Sequence, residues 1–349
     1  MFYSEDSKGI VWEILFPRTA PRLYGPEGVL IVTEQQTNEK FRDNSLPFQR
    51  KRLPGEPLEY EVNPEKHVKY PDVWVRQRLE EYKRKDPDFP IHPGYNMRVV
   101  DEDWLSDESL LILFADRTDY GEVMTTEAYF GPKRETFLPR RAMSSSWGAD
   151  SFVVTNDNHF IYSVRQDNLR TYAGTKSAIT GGPRGEVDVS RILDQPQLED
   201  RSVELFKDIK EKTAKNLAID EDLITDCKLM CHVNNQMLFF TYGNILVKVD
   251  VSAREILKRK PEIVKLGKCK SVGALHLDEK SLAKFIIGSH KLPRGSSVYR
   301  DDMSGNLPGS IEAGYVMLGK HSFMDNPRWP LEYLPHVRKL DLRSQIKTF

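Results

Sequence analysis

Three cysteines and a histidine are the most visible potential metal ligands in the sequence. Cys227 and Cys231 are four residues apart in a predicted β-strand, so we expect both side chains on one face of the sheet. Zinc would need two more ligands, and Cys269 and His232 are the candidates, although His232 would point to the opposite face. We therefore predict buried, unreactive thiols rather than a zinc site.

A glycine pair, Gly181-Gly182, is the next feature that could serve chemistry. Glycine permits a positive φ and a close approach of the backbone to another group. The pair therefore predicts either a tight turn or a loop that approaches a ligand, and the residues alone do not choose between them. Arg165 ends a predicted strand, where it could face a cleft or lie in solvent.

Two other polar segments do not carry a reactive pattern. Ser144-Ser145-Ser146 lacks the G-x-S-x-G pattern of a nucleophile elbow and is interpreted as a linker. The basic stretch from Lys258 to Lys270 has no interleaved aromatic residues on which bases could stack. We interpret it as a solvated face and do not expect a nucleic-acid partner.

Composition limits the function classes further. The chain has 349 residues, 51 basic and 52 acidic, which predicts about two domains and a net charge of −1. Such a balance gives no global attraction to nucleic acid or anionic membrane. No apolar run is long enough to span a bilayer, and the acidic N-terminus does not resemble a secretory signal. Three sparse cysteines suit a reducing compartment, so we expect a cytoplasmic protein without a membrane partner.

The first half of the chain is irregular. Residues 34–70 are polar and rich in proline, which predicts a long loop, and Asp72 can cap a helix that runs to about Lys85. Strands are predicted at Val11–Phe16, Val29–Val32, Tyr95–Val100 and Ser109–Ala115.

The second half has a clearer pattern. Asn156-Asp157-Asn158 separates two β-rich runs, Phe152–Thr155 and Phe160–Val164, and predicts a hairpin. Later elements are a helix at Arg201–Asn216, strands at 223–233 and 236–249 around Asn234-Asn235, a helix capped by Ser252, and a helix at 278–288. From Met324 onward the chain is expected to wrap the surface.

The order hairpin, Gly-Gly loop, helix, strand pair and helix resembles the Nudix hydrolase fold. Val153-Val154-Thr155-Asn156-Asp157 resembles the "vvvT-x-D" segment of that family, and Val164-Arg165-Gln166 resembles its "R-R-S". Val203-Glu204-Leu205-Phe206 resembles the start of the Nudix helix. The extra residues between the glycines and the helix are most similar to the UDP-glucose pyrophosphatase branch, over roughly residues 95–290.

The resemblance implies the fold class and the domain boundaries. We expect an α/β protein whose Nudix-like domain, residues 148–300, is an α/β/α sandwich with a mixed sheet. An N-terminal α+β region, 1–147, would precede it, and its residues 95–147 would pack on the core. Residues 301–349 would form a C-terminal extension.

The family's chemistry depends on a glutamate-rich helix with the pattern R-E-u-x-E-E-u-G-u, where u is apolar. Its carboxylates hold the Mg²⁺ ions that neutralise a diphosphate and activate water. Here the pattern is altered in both possible alignments. The preferred one, Glu211–Ile219, puts Lys212, Lys215 and Asn216 at metal-binding positions. The other, Lys207–Ala214, keeps Asp208 and Glu211 but puts Lys212 on the last glutamate.

A lysine in a metal shell would repel Mg²⁺, but it could bind a phosphate directly. The resemblance therefore implies a degenerate Nudix-fold protein that binds a nucleoside-diphosphate compound, such as a nucleotide sugar, with weak or absent hydrolysis. Its candidate ligand-binding residues are Arg165, Gly181, Gly182, Lys212 and Lys215.

Two alternatives stay open from the sequence. In an active Mg²⁺-dependent pyrophosphohydrolase, Asp208 and Glu211 would be the catalytic candidates, and Glu186 and Asp188 could rebuild the metal site. In a non-enzymatic interaction module, residues 1–90 would contact a protein partner.

Overall fold

The computed structural model describes residues 2–6, 9–33, 95–119, 146–167, 174–180, 186–235, 240–266, 269–288, 307, 309–334 and 336–339. The predicted loop at 34–70 and the predicted helix from Asp72 to Lys85 lie outside these residues.

The described strands are β1 (Phe2–Asp6), β2 (Gly9–Phe16), β3 (Val29–Thr33), β4 (Tyr95–Trp104), β5 (Leu111–Asp119), β6 (Trp147–Thr155), β7 (His159–Arg165), β8 (Lys176–Ser177), β9 (Ile179–Thr180), β10 (Ile224–Asn235), β11 (Phe240–Val249), β12 (Cys269–His276) and β13 (Val337–Lys339). The described α-helices are α1 (Glu186–Leu193), α2 (Leu198–Leu217), α3 (Ala253–Lys258), α4 (Lys260–Lys265), α5 (Glu279–Ile287) and α6 (Gly309–Ser322).

Most of the described strands belong to one mixed sheet. Its order is β12-β7-β6-β11-β10-β2-β1-β13, with β8 paired to β7 and β9 paired to β6. The central pair β6 and β11 is parallel, and the other pairs of this sheet are antiparallel. A second sheet has the order β3-β5-β4, with β3 parallel to β5. The protein is therefore a mixed α/β structure.

The hairpin between β6 and β7 is confirmed. Asn158 has a φ of 56°, a left-handed conformation that asparagine tolerates better than most residues. The Thr155 hydroxyl donates to the Asp157 carboxylate at 2.6 Å, and the Ala253 N–H donates to the same carboxylate at 2.9 Å. The turn residues therefore set the hairpin and also anchor the start of α3.

The large sheet separates two apolar cores. One core contains α2, α3 and α4 together with residues of the small sheet, and includes Leu205, Ile209, Ile256 and Ile263. The other contains α5, α6 and the chain after α6, and includes Phe152, Phe285 and Trp329. Alternation along each strand sends successive side chains to opposite cores. Val153 in β6 thus lies in the first core, while Phe152 lies in the second.

Helix α6 was not predicted from the sequence. Residues 309–319 are all buried, so this helix has no polar face and no amphipathic period to detect. Glycine is required at two of its positions because rings lie against the backbone. A Cβ at Gly314 would be 1.9 Å from the Phe152 ring, and one at Gly319 would be 2.3 Å from the Trp329 indole.

The predicted helices at Arg201–Asn216, after Ser252 and at 278–288 are confirmed, within a few residues, as α2, α3 and α5. The strand pair is also confirmed, but Asn234 and Asn235 lie within β10 and do not form its turn. The prediction that the chain wraps the surface after Met324 was wrong for Trp329, Leu334 and Val337, which are buried in the second core.

Strands from all three predicted regions share the large sheet. β1 and β2 precede residue 147, β13 follows residue 300, and β6 to β12 lie between. The division at 147 and 300 stays a prediction. None of the described helices is long and apolar enough to cross a membrane.

Candidate functional site

Helix α2 is held in place by polar contacts at several points along its length. The Ser202 hydroxyl donates to the Val29 carbonyl in β3. The Ser151 hydroxyl in β6 lies 2.7 Å from that of Thr213, and both residues are fully buried. Ala218 ends the helix with a φ of 53°, and its N–H donates to the carbonyls of Ala214 and Lys215. The position of α2 relative to both sheets is therefore fixed.

Charged side chains fill the groove between α1 and α2. Their positions follow helical spacing, because Glu204, Asp208, Glu211 and Lys212 lie on one face of α2, and Asp188 and Arg191 are three residues apart on α1. We name this set the α1–α2 ion cluster; its members are Asp188, Arg191, Glu204, Asp208, Glu211 and Lys212.

Lys212 lies between two aspartates of this cluster. Its Nζ atom is 2.6 Å from Asp188 Oδ2 and 2.7 Å from Asp208 Oδ2. The Asp208 side chain is 1% exposed, whereas those of Lys212 and Asp188 are 21% and 24% exposed. Lys212 therefore brings a positive charge to a carboxylate that water does not reach.

Arg191 contacts three acidic side chains of the cluster. Its Nη2 atom is 2.9 Å from Asp208 Oδ1, its Nη1 atom is 3.2 Å from Glu211 Oε2, and its Nε atom is 3.4 Å from Glu204 Oε2. Burial lowers the pKa of Arg191, but the hydrogen bond that it donates to Glu211 and its acidic neighbours raise the pKa overall. The guanidinium is therefore positively charged and joins α1 to α2.

The charge of the cluster does not balance. Arg191 and Lys212 face four acidic groups, and Lys207 Nζ lies 3.8 Å from Glu204 Oε1, so these seven described groups sum to a charge of −1 when all are ionised. Burial raises the pKa of Asp208, and Asp188 adds to this, while Lys212 and Arg191 oppose it.

The two catalytic candidates lie in this cluster. Asp208 binds both Lys212 and Arg191, and Glu211 binds Arg191. Asp188 lies on α1 and binds Lys212, while Glu186 begins the same helix. The structure thus brings Asp188, Asp208, Glu211 and Lys212 together, although in the sequence the first is twenty residues from the second.

The other ligand-binding candidates lie elsewhere. Lys215 is exposed in the last turn of α2. Arg165 ends β7, opposite Cys269 of β12, and is partly exposed. Gly181 and Gly182 lie outside the described residues.

As arranged here, the donor set does not fit Mg²⁺. The ion prefers a shell of oxygen ligands, but the carboxylates of Asp188 and Asp208 face an ammonium group. Within the described ranges no group of three or more His, Cys, Asp or Glu side chains is arranged to hold a metal. We therefore derive no chemical step through a metal ion.

The cysteines do not converge either. The prediction that Cys227 and Cys231 share a face was wrong, because the register of β10 shifts between Leu229 and Cys231. Cys227 packs against the first core and Cys231 lies in the second. Burial raises the pKa of both thiols to about 12, which suits the predicted unreactive role.

Arg191 is the functional candidate that the sequence reasoning missed. The signal was present in the spacing of Glu204, Asp208 and Glu211, which marks an acidic face on α2 that needs a cation. Helix α1 itself was not predicted, so its arginine was not considered as that cation.

No protein-family model matches the chain, and no curated protein matches its sequence.

Proposed function

We propose that the chain is a Nudix-like protein that binds a nucleoside-diphosphate compound, such as a nucleotide sugar, and hydrolyses it weakly or not at all. The observation that carries the proposal is the position of Lys212, whose ammonium group lies between Asp188 and Asp208. The carboxylates of Asp188 and Asp208 are therefore already paired with a cation of the protein itself, the Lys212 ammonium group.

The order of elements supports the Nudix-like part of the proposal. The β6–β7 hairpin, helix α2 and the β10–β11 pair follow one another as in the family pattern, and helices lie on both faces of the mixed sheet. The left-handed residue Ala218 supports the first alignment, in which it takes the place of the family's glycine. In the second alignment that place falls on Ala214, which is inside the helix.

The binding site of the proposal lies beside the ion cluster and not within it. Lys212 is already bound to the carboxylates of Asp188 and Asp208, and these carboxylates would repel a diphosphate. Lys215 lies three residues further along α2, is exposed and has no ion pair among the described residues. Lys215 and Arg165 are therefore the phosphate contacts that we propose, and Gly181 and Gly182, outside the described residues, stay candidates from the sequence.

A binding experiment tests both halves of this proposal. Thermal unfolding is followed with UDP-glucose and with ADP-ribose, each with and without Mg²⁺, and the products are analysed by chromatography. We expect stabilisation that does not need Mg²⁺, about 2.7 kcal/mol at 100 times the dissociation constant. Rapid Mg²⁺-dependent turnover would overturn the loss of hydrolysis, and no stabilisation by either compound would overturn the ligand class.

Two variants locate the site. Lys215→Ala and Arg165→Ala should each weaken binding at least several-fold, because each removes one charge-assisted contact to phosphate. Lys248→Ala is the matched control, since Lys248 is exposed on β11, and it should leave the affinity unchanged. Unchanged affinity in both test variants would contradict the placement of the phosphate.

A further inference from the structure

Among the described strands, β12 is the outermost on one side of the large sheet. It pairs along its length with β7, and no strand in the described part of the chain pairs with its other side. The outward edge of an unpaired strand presents backbone N–H and C=O groups that can accept another strand. The edge spans eight residues, Cys269–His276, without a proline.

The surface beside this edge is basic and partly apolar. Helices α3 and α4 pack on one face of the sheet there, where Ile263 and Val272 lie in the same core. They expose Lys258, Lys260 and Lys265, which form no ion pair within the described ranges. Leu257 and Leu266 are 38% and 40% exposed among these lysines. We name β12 together with these five side chains the basic edge.

Acidic groups near this surface only partly offset its charge. Glu255 is engaged with Ser252 in a capping box at the start of α3. Asp278 accepts from the backbone and the hydroxyl of Ser281 at the start of α5. Glu262 is exposed on α4 and Arg254 on α3, so these two charges cancel. Glu255 and Asp278 keep their negative charge and Glu255 also attracts Lys258, but Arg259 adds a further cation, so the described residues leave a positive excess at the edge.

We propose that the basic edge binds an extended, acidic segment of a partner protein, which adds to the sheet as a strand beside β12. Backbone hydrogen bonds to the open edge would supply affinity, and the lysines would select acidic side chains. The exposed leucines would contact the apolar side chains of the same segment. This inference does not depend on the proposed nucleotide ligand.

Other occupants fit this surface less well. A second copy of the chain would bring the same lysines against each other, which costs free energy. A lipid surface offers no row of backbone groups to pair with β12. Single-stranded nucleic acid is recognised by aromatic stacking, and the exposed large apolar side chains in the described part of the chain are all aliphatic.

Fluorescence anisotropy with a labelled eight-residue peptide of alternating valine and glutamate tests the proposal. We expect saturable binding to the full chain at low salt, and no binding of the same peptide with alternate amides N-methylated. Hydrogen exchange of residues 269–276 should slow when the peptide binds. Equal binding of the N-methylated peptide, or no change in exchange at β12, would overturn strand addition.

Charge-reversal variants distinguish binding at the basic edge from nonspecific electrostatic attraction of the peptide to the protein. The double variant Lys260→Glu, Lys265→Glu should weaken peptide binding at least tenfold, because it replaces two attractive charges by two repulsive ones. The control variant Lys248→Glu, Lys339→Glu makes the same net change at exposed positions on β11 and β13 and should stay within twofold. Equal losses in both, or binding of phosphatidylserine vesicles in place of the peptide, would overturn the proposal.

Discussion

The two faces of the large sheet are held together in different ways. On the face of α2, an amphipathic helix buries Leu205 and Ile209 and turns charged groups toward α1. On the face of α6, the helix is buried on every side, and its glycines let aromatic rings rest on its backbone. The comparison indicates that an ion cluster positions the first helix, whereas close packing of rings on glycine and a buried hydrogen bond between Glu312 and His336 position the second.

This difference predicts which face tolerates change. If an ion pair beside α2 is lost, water can partly replace the missing contact. If a buried side chain beside α6 is truncated, the cavity stays empty. The candidate functional residues that the structure describes lie on the tolerant face or near the edge of the sheet. We therefore expect the α6 face to dominate stability and the α2 face to carry specificity.

The largest effect should come from Phe152→Ala. Phe152 is fully buried, its ring lies 4.8 Å from that of Tyr315, and it fills the space above Gly314. We expect a loss of about 3–5 kcal/mol in the free energy of unfolding, measured by urea denaturation. The control Val203→Ala removes an exposed side chain of α2 and should change it by less than about 0.5 kcal/mol. Equal losses of unfolding free energy in the two variants would contradict the predicted difference between the two faces.

Lowering the pH should reduce the free energy of unfolding because His321 of α6 is buried without a proton. Burial lowers its pKa to about 4, although a backbone hydrogen bond with Met230 raises it. Since the unfolded chain binds a proton near pH 6.5 that the folded chain excludes until about pH 4, stability falls as the pH drops through this window, by up to about 3 kcal/mol. His321→Gln should remove this slope in urea titrations at several pH values. His276→Gln, at an exposed histidine, should keep it.

On the α2 face the strongest test is Lys212→Met. The change leaves Asp208 buried with Arg191 as its remaining cation, so we expect a loss of about 2 kcal/mol at pH 7. Burial raises the pKa of Asp208, so its carboxylate takes up a proton early as the pH falls. The penalty should therefore shrink in acid. Lys215→Met removes an exposed lysine from the same helix, and a loss as large as that of Lys212→Met would show that the ion cluster is not responsible.

The sequence predicts the α2 face better than the α6 face for a physical reason. Helix α2 alternates apolar and charged residues with a helical period, and the β6–β7 hairpin has its turn residues in place. Helix α6 has no such period, because residues 309–319 are buried on every side. Tertiary packing, which no local pattern records, decides that this segment is a helix.

The candidate site was predictable in its members but not in its contacts. Asp188, Asp208, Glu211 and Lys212 stand out as charged residues around an altered helix pattern. Their pairing depends on the approach of α1 to α2, and α1 is only eight residues long, which is too short for its pattern to be recognised from sequence. The β10 bulge is likewise invisible in the sequence, so the orientation of Cys227 relative to Cys231 could not be deduced.

The smallest expected effect concerns the buried hydroxyl pair on the α2 face. Ser151→Ala and Thr213→Val should each cost about 1 kcal/mol, because each leaves one buried hydroxyl unpaired or removes a hydrogen bond. The double variant should lose about 0.5–1 kcal/mol less than the sum, since no hydroxyl of the pair is then left without its partner. A double-mutant cycle by urea denaturation measures this coupling. Strict additivity would mean that the hydroxyls contribute independently, and α2 would then be positioned by its apolar packing and its ion cluster without help from this pair.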